Sequence, residues 1–485
     1  MRKGLFFWGV LAVVGIILIG GFYYLGKKPA VSDPVDAIPK VETEHPWLLL
    51  AASGDQINLL QWPEDEDSSS VEALARDIWA LSSLSDKVAI WAELPYVEHW
   101  YGAFKLSKEE IDTLAMFKVP DRWKAHLPHA AVSELPGDAL QIKLSRDGGS
   151  FVGKIKKGIL LVSRDADGLS KMLEAVDTPS KRVKLKWSVN PQLPAHLIFF
   201  DGGLLARKIK EGLKLEGQSG KAESLTVTFG WEASPSSGDI FWNVEGLEKL
   251  LATSEGSGVM LKPVEWDKEL FLPNPLVVAF GFNLKGITGN LLEEEFEEAV
   301  PVLSDRNEDF GKLLDGEVLV MVGGKARLAL LSLPGILLQL PERGKDGLRM
   351  VEELWETYWL EPKPMEGFTT GGNVAFPLTL IGAANEKLVL IGAIDQSTLL
   401  KRKGLSEVLG YDKPALGWLY IDFPKAAEAL EDLEKISDFS NKMGVVDAPD
   451  LKDIRKLISR FKQLGKFRMI FYDAKSGEAH LEMGD

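Results

Sequence analysis

The sequence predicts an α+β fold in which an N-terminal transmembrane helix precedes two tandem, duplicated antiparallel-sheet-plus-helix domains. Three observations lead to this prediction. Residues 5–25 are apolar and uncharged, and apolar strand segments alternate irregularly with helical ones. Landmarks of the first half also recur in the same order in the second half, three of them at one offset and the later ones at offsets that drift from it. Strand-rich segments without a regular βαβ order are typical of antiparallel sheets with helices set among them.

The segment Leu5–Leu25 is long enough to cross a membrane. It has 21 residues with basic residues on both sides, and a helix of about 20 residues spans the hydrocarbon core of a bilayer. Trp8, Tyr23 and Tyr24 lie near its ends, where aromatic side chains meet the membrane interface. No small-residue cleavage motif follows directly, so we expect this segment to be retained as an anchor in the lipid bilayer. Cleavage near Ser32 is the alternative.

The remaining chain is expected on the far side of that membrane. Residues 1–4 are too few to form a domain, so we place them in the cytoplasm, and residues 26–45, with three prolines, are predicted to be an extended tether. The net charge is −15 and there is no cysteine. A negative chain repels nucleic acid, so no nucleic-acid partner is expected. Disulfides, thiol nucleophiles and thiolate metal ligands are excluded.

The first domain is predicted over residues 46–253. Ser69 with Glu72 forms a capping box that starts a helix near 71–84. Ser107 with Glu110 forms another, which starts a helix near 108–117. The predicted strands include 47–52, 88–92, 159–162, 197–200, 225–231 and 240–243, and further helices are predicted near 168–175 and 204–213.

A Gly- and Ser-rich linker at 254–261 separates this domain from the second, over 262–485. Three pairs of landmarks share one and the same offset along the chain: Pro46 and Pro275, Asp86 and Asp315, Ile159 and Leu388. A fixed period of this kind indicates an internal repeat. The members of each pair are therefore expected at the same place in equivalent strands.

Two helices, near 423–442 and 450–464, are predicted in the second domain. Apolar residues of the latter fall on one helical face, the spacing of a helix that faces a core: Leu451, Ile454, Leu457, Ile458 and Phe461.

The chain contains no complete catalytic or metal-binding motif. Fragments of a penicillin-recognising motif set occur in the wrong order, and Gly148–Lys154 resembles a P-loop without the hydroxyl that would hold magnesium. His126 and His129 are three residues apart but lack a third ligand. We therefore predict no catalytic residue, no metal and no cofactor. A serine or carboxylate site without a sequence motif stays open as an alternative, because its members need not be close in sequence.

The candidate contact site is the aromatic segment Trp91–Phe104. Its proposed partner-binding residues combine rings with polar atoms: Tyr96, His99, Trp100 and Tyr101. Such side chains suit contact with a glycan or peptide. The second half is expected to have glycines at the corresponding place, Gly323 and Gly324, and this difference favours a contact surface kept by one copy. For the segment taken alone, the favoured interpretation is that the rings close a core in a strand-to-helix connection, in which case they would be buried.

Three features together resemble a family of bacterial single-span envelope proteins that is described only as a domain of unknown function. They are the N-terminal anchor, the segment Phe310–Val320 and a proline-strand-Asp-helix unit at Pro414–Leu430. The resemblance implies a single-pass protein of the bacterial cytoplasmic membrane with most of its chain extracytoplasmic. It favours a non-enzymatic role and assigns no catalytic residue.

The leading functional hypothesis is a membrane-anchored, extracytoplasmic and non-enzymatic protein that binds or scaffolds another component of the cell envelope, either a protein or a glycan. Two alternatives belong to other classes. One is a cell-wall or peptide hydrolase without a recognisable motif, which would need a polar cleft with converging titratable groups. The other is a carrier or sensor of an apolar ligand, which would need an apolar cavity.

Overall fold

The structure is a computed structural model. It describes residues 33–40, 46–58, 70–93, 100–145, 149–183, 185, 188–201, 203, 225–246, 263–264, 269–283, 316–328, 331–358, 361–375, 378–403, 410–411, 413, 415–443, 451–473 and 475–484. No helix among these residues has the length and apolar character that a membrane crossing requires. The predicted anchor Leu5–Leu25 lies outside the described residues. The prediction of an extended tether over 26–45 is wrong for residues 33–40, because Pro34–Ala37 form a 3-10 helix and Ala37 and Ile38 are buried in the core.

The chain divides into two compact units between Glu255 and Gly256, within the segment proposed as a linker. The strands of the first unit are β1 (Trp47–Ser53), β2 (Lys87–Glu93), β3 (Trp100–Lys105), β4 (Ala131–Leu135), β5 (Ala139–Lys143), β6 (Ser150–Lys156), β7 (Ile159–Ser163), β8 (Ala195–Phe200), β9 (Thr226–Ser234) and β10 (Ser237–Glu245). Its helices are α1 (Gly54–Asn58), α2 (Ser70–Ser83), α3 (Lys108–Ala115), α4 (Asp121–His126) and α5 (Ala166–Asp177), with short 3-10 helices at Pro34–Ala37 and Pro179–Lys181.

Several of these elements begin where local sequence signals predict them. At α3 the Ser107 hydroxyl accepts a hydrogen bond from the Glu110 N–H at 3.3 Å, and the Glu110 carboxylate accepts one from the Ser107 N–H at 3.0 Å. This is the predicted capping box. The apolar strand β7 is buried along its whole length. The helix predicted near 204–213 lies outside the described residues.

The described strands of the first unit form one antiparallel sheet. From edge to edge their order is β4–β5–β6–β7–β3–β2–β1–β8–β9–β10. One face of the sheet carries Leu49, Trp91 and Tyr101 and is covered by α5 through Leu169 and Met172. Burial of this apolar face is the main source of stability for a chain without disulfides.

The second unit contains β11 (Glu269–Pro273), β12 (Leu276–Asn283), β13 (Glu317–Leu328), β14 (Leu331–Pro341), α6 (Gly344–Tyr358), β15 (Lys363–Pro364), β16 (Thr370–Val374), β17 (Leu380–Ala384), β18 (Leu388–Ala393), β19 (Leu399–Lys403), β20 (Gly417–Asp422), α7 (Phe423–Met443), α8 (Leu451–Phe461), β21 (Leu464–Phe471) and β22 (Ser476–Met483). A 3-10 helix lies at Gln396–Thr398.

Its main sheet is also antiparallel, in the order β15–β16–β17–β18–β14–β13–β12–β20–β21–β22. This is the order of the first unit, strand for strand. The strand register extends the correspondence to single residues. From β1 to β7 the paired residues are Leu49, Trp91, Tyr101 and Ser163 in turn. From β12 to β18 they are Ala279, Met321, Leu337 and Gly392 in turn.

The two series end at Ser163 and Gly392. These two residues are as far apart along the chain as Ile159 and Leu388 are, and this is the separation that the sequence predicts. Ile159 and Leu388 open the equivalent strands β7 and β18 and are both buried. Asp86 directly precedes β2, whereas Asp315 lies outside the described residues. The two units therefore share one strand topology, and the predicted landmark in β7 is confirmed.

The two units differ in what covers the equivalent face of the sheet. In the second unit a two-stranded ribbon of β11 and β19 replaces the helix α5. Leu270 and Leu272 of the ribbon pack on Leu319 and Leu337. The opposite face of the second sheet packs against α6, where Trp355 is buried and donates its indole N–H to the Gly382 carbonyl at 2.6 Å.

Candidate functional site

The aromatic segment proposed as a contact site is part of the core. Trp100 is 1% exposed and Tyr101 is 9% exposed. Tyr101 stacks on Trp91 with ring centroids 4.8 Å apart, and Trp100 meets Phe151 edge-on at 5.1 Å. Buried rings cannot contact a partner, so the prediction of a binding surface at Trp100 and Tyr101 is wrong. Tyr96 and His99 lie outside the described residues.

The strand register shows that the two segments compared between the halves are not equivalent. Trp100 and Tyr101 belong to β3, whose counterpart is β14 and not the glycine segment after Val320. Tyr101 corresponds to Leu337, which is also buried. The position is therefore a core position in both units, filled by an aromatic ring in one and by an aliphatic side chain in the other.

The two glycines have a separate, local cause. Gly323 and Gly324 have φ of 153° and 56°, in the range that favours glycine, and they interrupt the β13–β14 register as a bulge. A Cβ on Gly323 would lie 2.1 Å from the Pro275 carbonyl oxygen, and one on Gly324 would lie 2.5 Å from the Thr398 hydroxyl. Close backbone packing therefore requires glycine here.

A cleft in the second unit is the candidate site that the structure offers instead. It has a volume of about 370 Å³ and lies beside β16, the start of β17 and the segment after β18. Its lining mixes amides, hydroxyls, one carboxylate and a few apolar side chains: Asn373, Val374, Ala375, Thr379, Ile394, Asp395, Gln396 and Ser397. The volume is within the range of small-molecule sites, about 300–1,000 Å³.

Asp395 is the charged group of the cleft and is held by several hydrogen bonds. Its Oδ1 accepts from the backbone N–H of Ser397 at 2.9 Å and from the Ser397 hydroxyl at 2.8 Å. Its Oδ2 lies 3.4 Å from a guanidinium nitrogen of Arg327. Burial alone would raise the pKa of Asp395, but the Ser397 hydrogen bonds and the Arg327 charge outweigh it and leave the pKa below its ordinary value. The carboxylate is thus ionised and fixed in orientation.

The amides and hydroxyls around Asp395 are also positioned by named contacts. Asn373 donates a hydrogen bond from Nδ2 to the Gln396 side-chain oxygen. The Thr379 hydroxyl accepts from the backbone N–H of Arg327 at 2.7 Å. Residues from β13, β16 and two connecting segments therefore meet at one place through the pairing of their strands. The sequence signals only the Asp395 turn, since an Asp side chain readily accepts a hydrogen bond from the backbone N–H two residues on.

The chemistry of this lining suits binding more than catalysis. A general base needs a pKa near the working pH, whereas that of Asp395 is lowered. The Ser397 hydroxyl donates to a carboxylate and no histidine lines the described cleft, so it lacks the base of a Ser-His pair. Hydroxyls, amides and a carboxylate are the groups that recognise polar ligands by hydrogen bonds.

The two histidines weighed as metal ligands lie at and after the end of α4, and both are exposed. Among the described residues, no group of three His, Asp or Glu side chains has the arrangement of a metal site.

No protein-family model matches the chain, and no curated protein matches its sequence. A solved crystal structure described as "Structure of crystal form I of TP0453" is similar at 11% sequence identity and a TM-score of 0.26. The match covers 48% of this chain and 89% of that one. A likeness of this size supports no inference about fold or function.

Proposed function

We propose that this chain is a membrane-anchored, extracytoplasmic binding protein, without enzymatic activity, whose cleft around Asp395 takes a polar part of another cell-envelope component. The observation that carries the proposal is the lining of that cleft. Ser397 and Arg327 hold the Asp395 carboxylate, and the side-chain amides of Asn373 and Gln396 bond to each other. None of these groups is arranged to act as a general base. Preorganised polar groups of this kind favour binding.

A glycan that carries amide groups is the ligand class that fits this lining best. Sugar hydroxyls and peptide amides each donate and accept hydrogen bonds, as do Asn373, Gln396 and Thr379. The apolar side chains Val374 and Ile394 offer contact to the carbon faces of a ring. An apolar ligand in the cleft would remove water from the Asp395 carboxylate without offering it a hydrogen bond, which is energetically unfavourable. The function of a carrier for apolar molecules is therefore disfavoured.

The shared strand order of the two units supports an origin by duplication, followed by divergence of one copy. The cleft lies next to the segment after β18, where the second unit has a short 3-10 helix and β19. At the equivalent place after β7, the first unit has the helix α5. We propose that the second copy acquired the cleft when a short turn took the place of that helix.

The location is the other half of the proposal. Leu5–Leu25 would be a retained single-pass anchor in the bacterial cytoplasmic membrane, with both units outside the cytoplasm. Fractionation combined with protease protection tests this: the full-length protein should stay with membranes, and externally added protease should digest both units. Recovery of a soluble form that begins near Ser32 or Asp33 would show that the segment is cleaved.

Binding is tested by calorimetry on the full chain in detergent, titrated with soluble cell-wall fragments that consist of a short glycan with attached peptides. Replacing Gln396 with alanine should weaken binding by about tenfold, because one hydrogen bond in a buried contact contributes roughly 1–1.5 kcal/mol. The matched control is Gln192→Ala, at an exposed glutamine of the first unit. Absence of binding by the wild-type chain, or equal binding by Gln396→Ala, would overturn the cleft as the site.

A further inference from the structure

The helix α8 and the strand that follows it carry a concentration of positive charge. Residues 451–468 contain seven Lys or Arg and a single Asp, a net charge of +6 in a chain whose total is −15. The rest of the chain is therefore at −21. A local charge opposite to that of the whole protein indicates a surface for an anionic partner.

The helix presents this charge away from the body of the unit. Ile458 is buried and Phe461 packs on Phe423 of α7 with ring centroids 5.0 Å apart, which defines the inner face. Lys456 and Arg460 are exposed and four residues apart. At 100° per residue they lie on nearly the opposite side of the helix from Ile458.

Two other cations of this segment have structural roles. Arg455 of α8 pairs with Glu434 at 2.6 Å, and Lys462, directly after α8, pairs with Glu431 at 2.5 Å. Both contacts attach this segment to α7. Within the described residues, Lys456 and Arg460 form no ion pair. Like charges four residues apart on a helix lower its stability slightly. Their presence on the outer face is therefore not explained by folding.

An apolar side chain lies beside these cations. Leu457, which the sequence places on the core-facing side, is 40% exposed. The prediction for this residue is wrong because the buried face is narrower than the apolar stripe. An exposed leucine next to Lys456 and Arg460 suits a membrane surface, where cations meet headgroups and an apolar side chain enters the acyl boundary.

We propose that the outer face of α8, defined by Lys456, Leu457 and Arg460, docks on an anionic lipid surface. This proposal rests on one part of the proposed function, the membrane anchor, because the anchor would hold the chain beside a bilayer. Each Lys or Arg near an anionic surface strengthens binding about fivefold, and a buried leucine adds to this. An acidic protein would use the cations but would gain little from an isolated exposed leucine at their edge.

The absence of cysteine permits a site-specific test on the full chain. Ser459→Cys, at an exposed position between the two cations, would carry an environment-sensitive fluorophore. The protein is reconstituted into vesicles of phosphatidylcholine, or of phosphatidylcholine with about one third phosphatidylglycerol. We expect a blue-shifted emission only with phosphatidylglycerol, and its loss in high salt. The same label at Ser133→Cys, exposed in the first unit, should not respond.

The double substitution Lys456→Gln and Arg460→Gln removes both cations. It should lower the ratio of docked to undocked protein by about 25-fold. The matched control is Lys118→Gln with Lys124→Gln, which removes the same charge from exposed positions of the first unit. Equal emission from the two double variants would overturn the proposal. A shift caused by polyaspartate in solution, without a response to phosphatidylglycerol, would also overturn it and assign the face to an acidic protein.

Flotation of the same vesicles separates this proposal from the proposed anchor. Flotation on both lipids without a shift in emission would overturn docking and leave the anchor standing. Flotation only on anionic vesicles, with the shift, would support docking and overturn the anchor. Flotation on both lipids, with the shift confined to phosphatidylglycerol, would support both.

Discussion

Gln339 and Phe271 are joined by two hydrogen bonds through one side-chain amide. The Oε1 of Gln339 accepts from the Phe271 backbone N–H at 3.0 Å, and its Nε2 donates to the Phe271 carbonyl at 2.6 Å. The amide thereby bonds β11 to the sheet as a neighbouring strand would. The equivalent residue in the first unit is Ala103, on a face that α5 covers. The buried glutamine is thus present in the unit whose sheet face is covered by the β11–β19 ribbon, and alanine is present where α5 covers that face.

Replacing Gln339 with alanine should destabilise the second unit by about 2–4 kcal/mol, because two backbone groups of Phe271 lose their partners. Urea unfolding followed by fluorescence measures this. Gln339→Leu keeps the volume but not the hydrogen bonds and should be destabilised by a similar amount. The control is Gln141→Ala at an exposed strand position, expected within about 0.5 kcal/mol of wild type. Wild-type stability of Gln339→Leu would contradict the role of the amide.

Trp100→Ala should lower stability by about 3–5 kcal/mol, since it empties a fully buried site against Phe151. Trp100→Phe should cost much less, because the Trp100 indole N–H has no hydrogen-bond partner in the described part of the chain. Thermal unfolding compares the two variants. Met116→Ala, at a side chain that is 57% exposed, is the control. A Trp100→Ala variant as stable as wild type would show that this residue is not in the core.

Stability should fall as the pH is lowered below about 6.5. His196 is buried in β8, and its ring nitrogen contacts the Asn190 carbonyl at 3.0 Å. Burial lowers the pKa of His196 from 6.5, opposed by the Asn190 contact and supplemented by the nearby Lys87 charge. As the pH falls, His196 binds a proton in the unfolded chain at a higher pH than in the folded chain. The free energy of unfolding therefore decreases as the pH falls through the pKa of the unfolded state.

The pH dependence of the melting temperature between pH 7.5 and 5 checks this. His196→Gln, which can still hydrogen-bond the Asn190 carbonyl, should reduce the slope in this range. His126→Gln, at an exposed histidine, should leave the slope as it is. If both variants retain the wild-type slope, another group is responsible for any acid sensitivity.

Stability should also fall at alkaline pH. Burial in β20, with the negative charge of Asp422, raises the pKa of Tyr420 from 10.0 to about 12. The unfolded chain loses this proton first, so the free energy of unfolding decreases as pH rises from about 10 towards 12. Tyrosinate absorbance and denaturant unfolding follow the two effects. Tyr420→Phe should be less sensitive to alkali, and an unchanged sensitivity would contradict the assignment.

The part of the fold that the sequence predicts best is the part decided by near neighbours in the chain. The capping box of Ser107 and Glu110 is confirmed because its hydrogen bonds join residues three apart. The apolar run at Ile159 forms a buried strand, as its short length and the turn residue Gly158 before it indicate. The predicted pairing of Ile159 with Leu388 is met, since both residues open equivalent strands and are buried. The register matches Leu49 with Ala279, one residue beyond the predicted offset, so the offset is not constant along the chain.

The sequence by itself determined the mixture of helices with antiparallel strands and many element boundaries, whereas the tertiary structure decided the strand order of each unit and which surfaces are available. Tyr101 is buried because strand register sets it on Trp91 and beneath α5, contacts between residues far apart in the chain. The cleft exists because the pairing of β16, β17 and β18 brings Asn373 beside Gln396. Leu457 is exposed although it belongs to the apolar stripe of α8, because the buried face of this helix, which includes Ile458, is narrower than that stripe. Burial depends on these long-range pairings, and periodicity along one segment does not contain them.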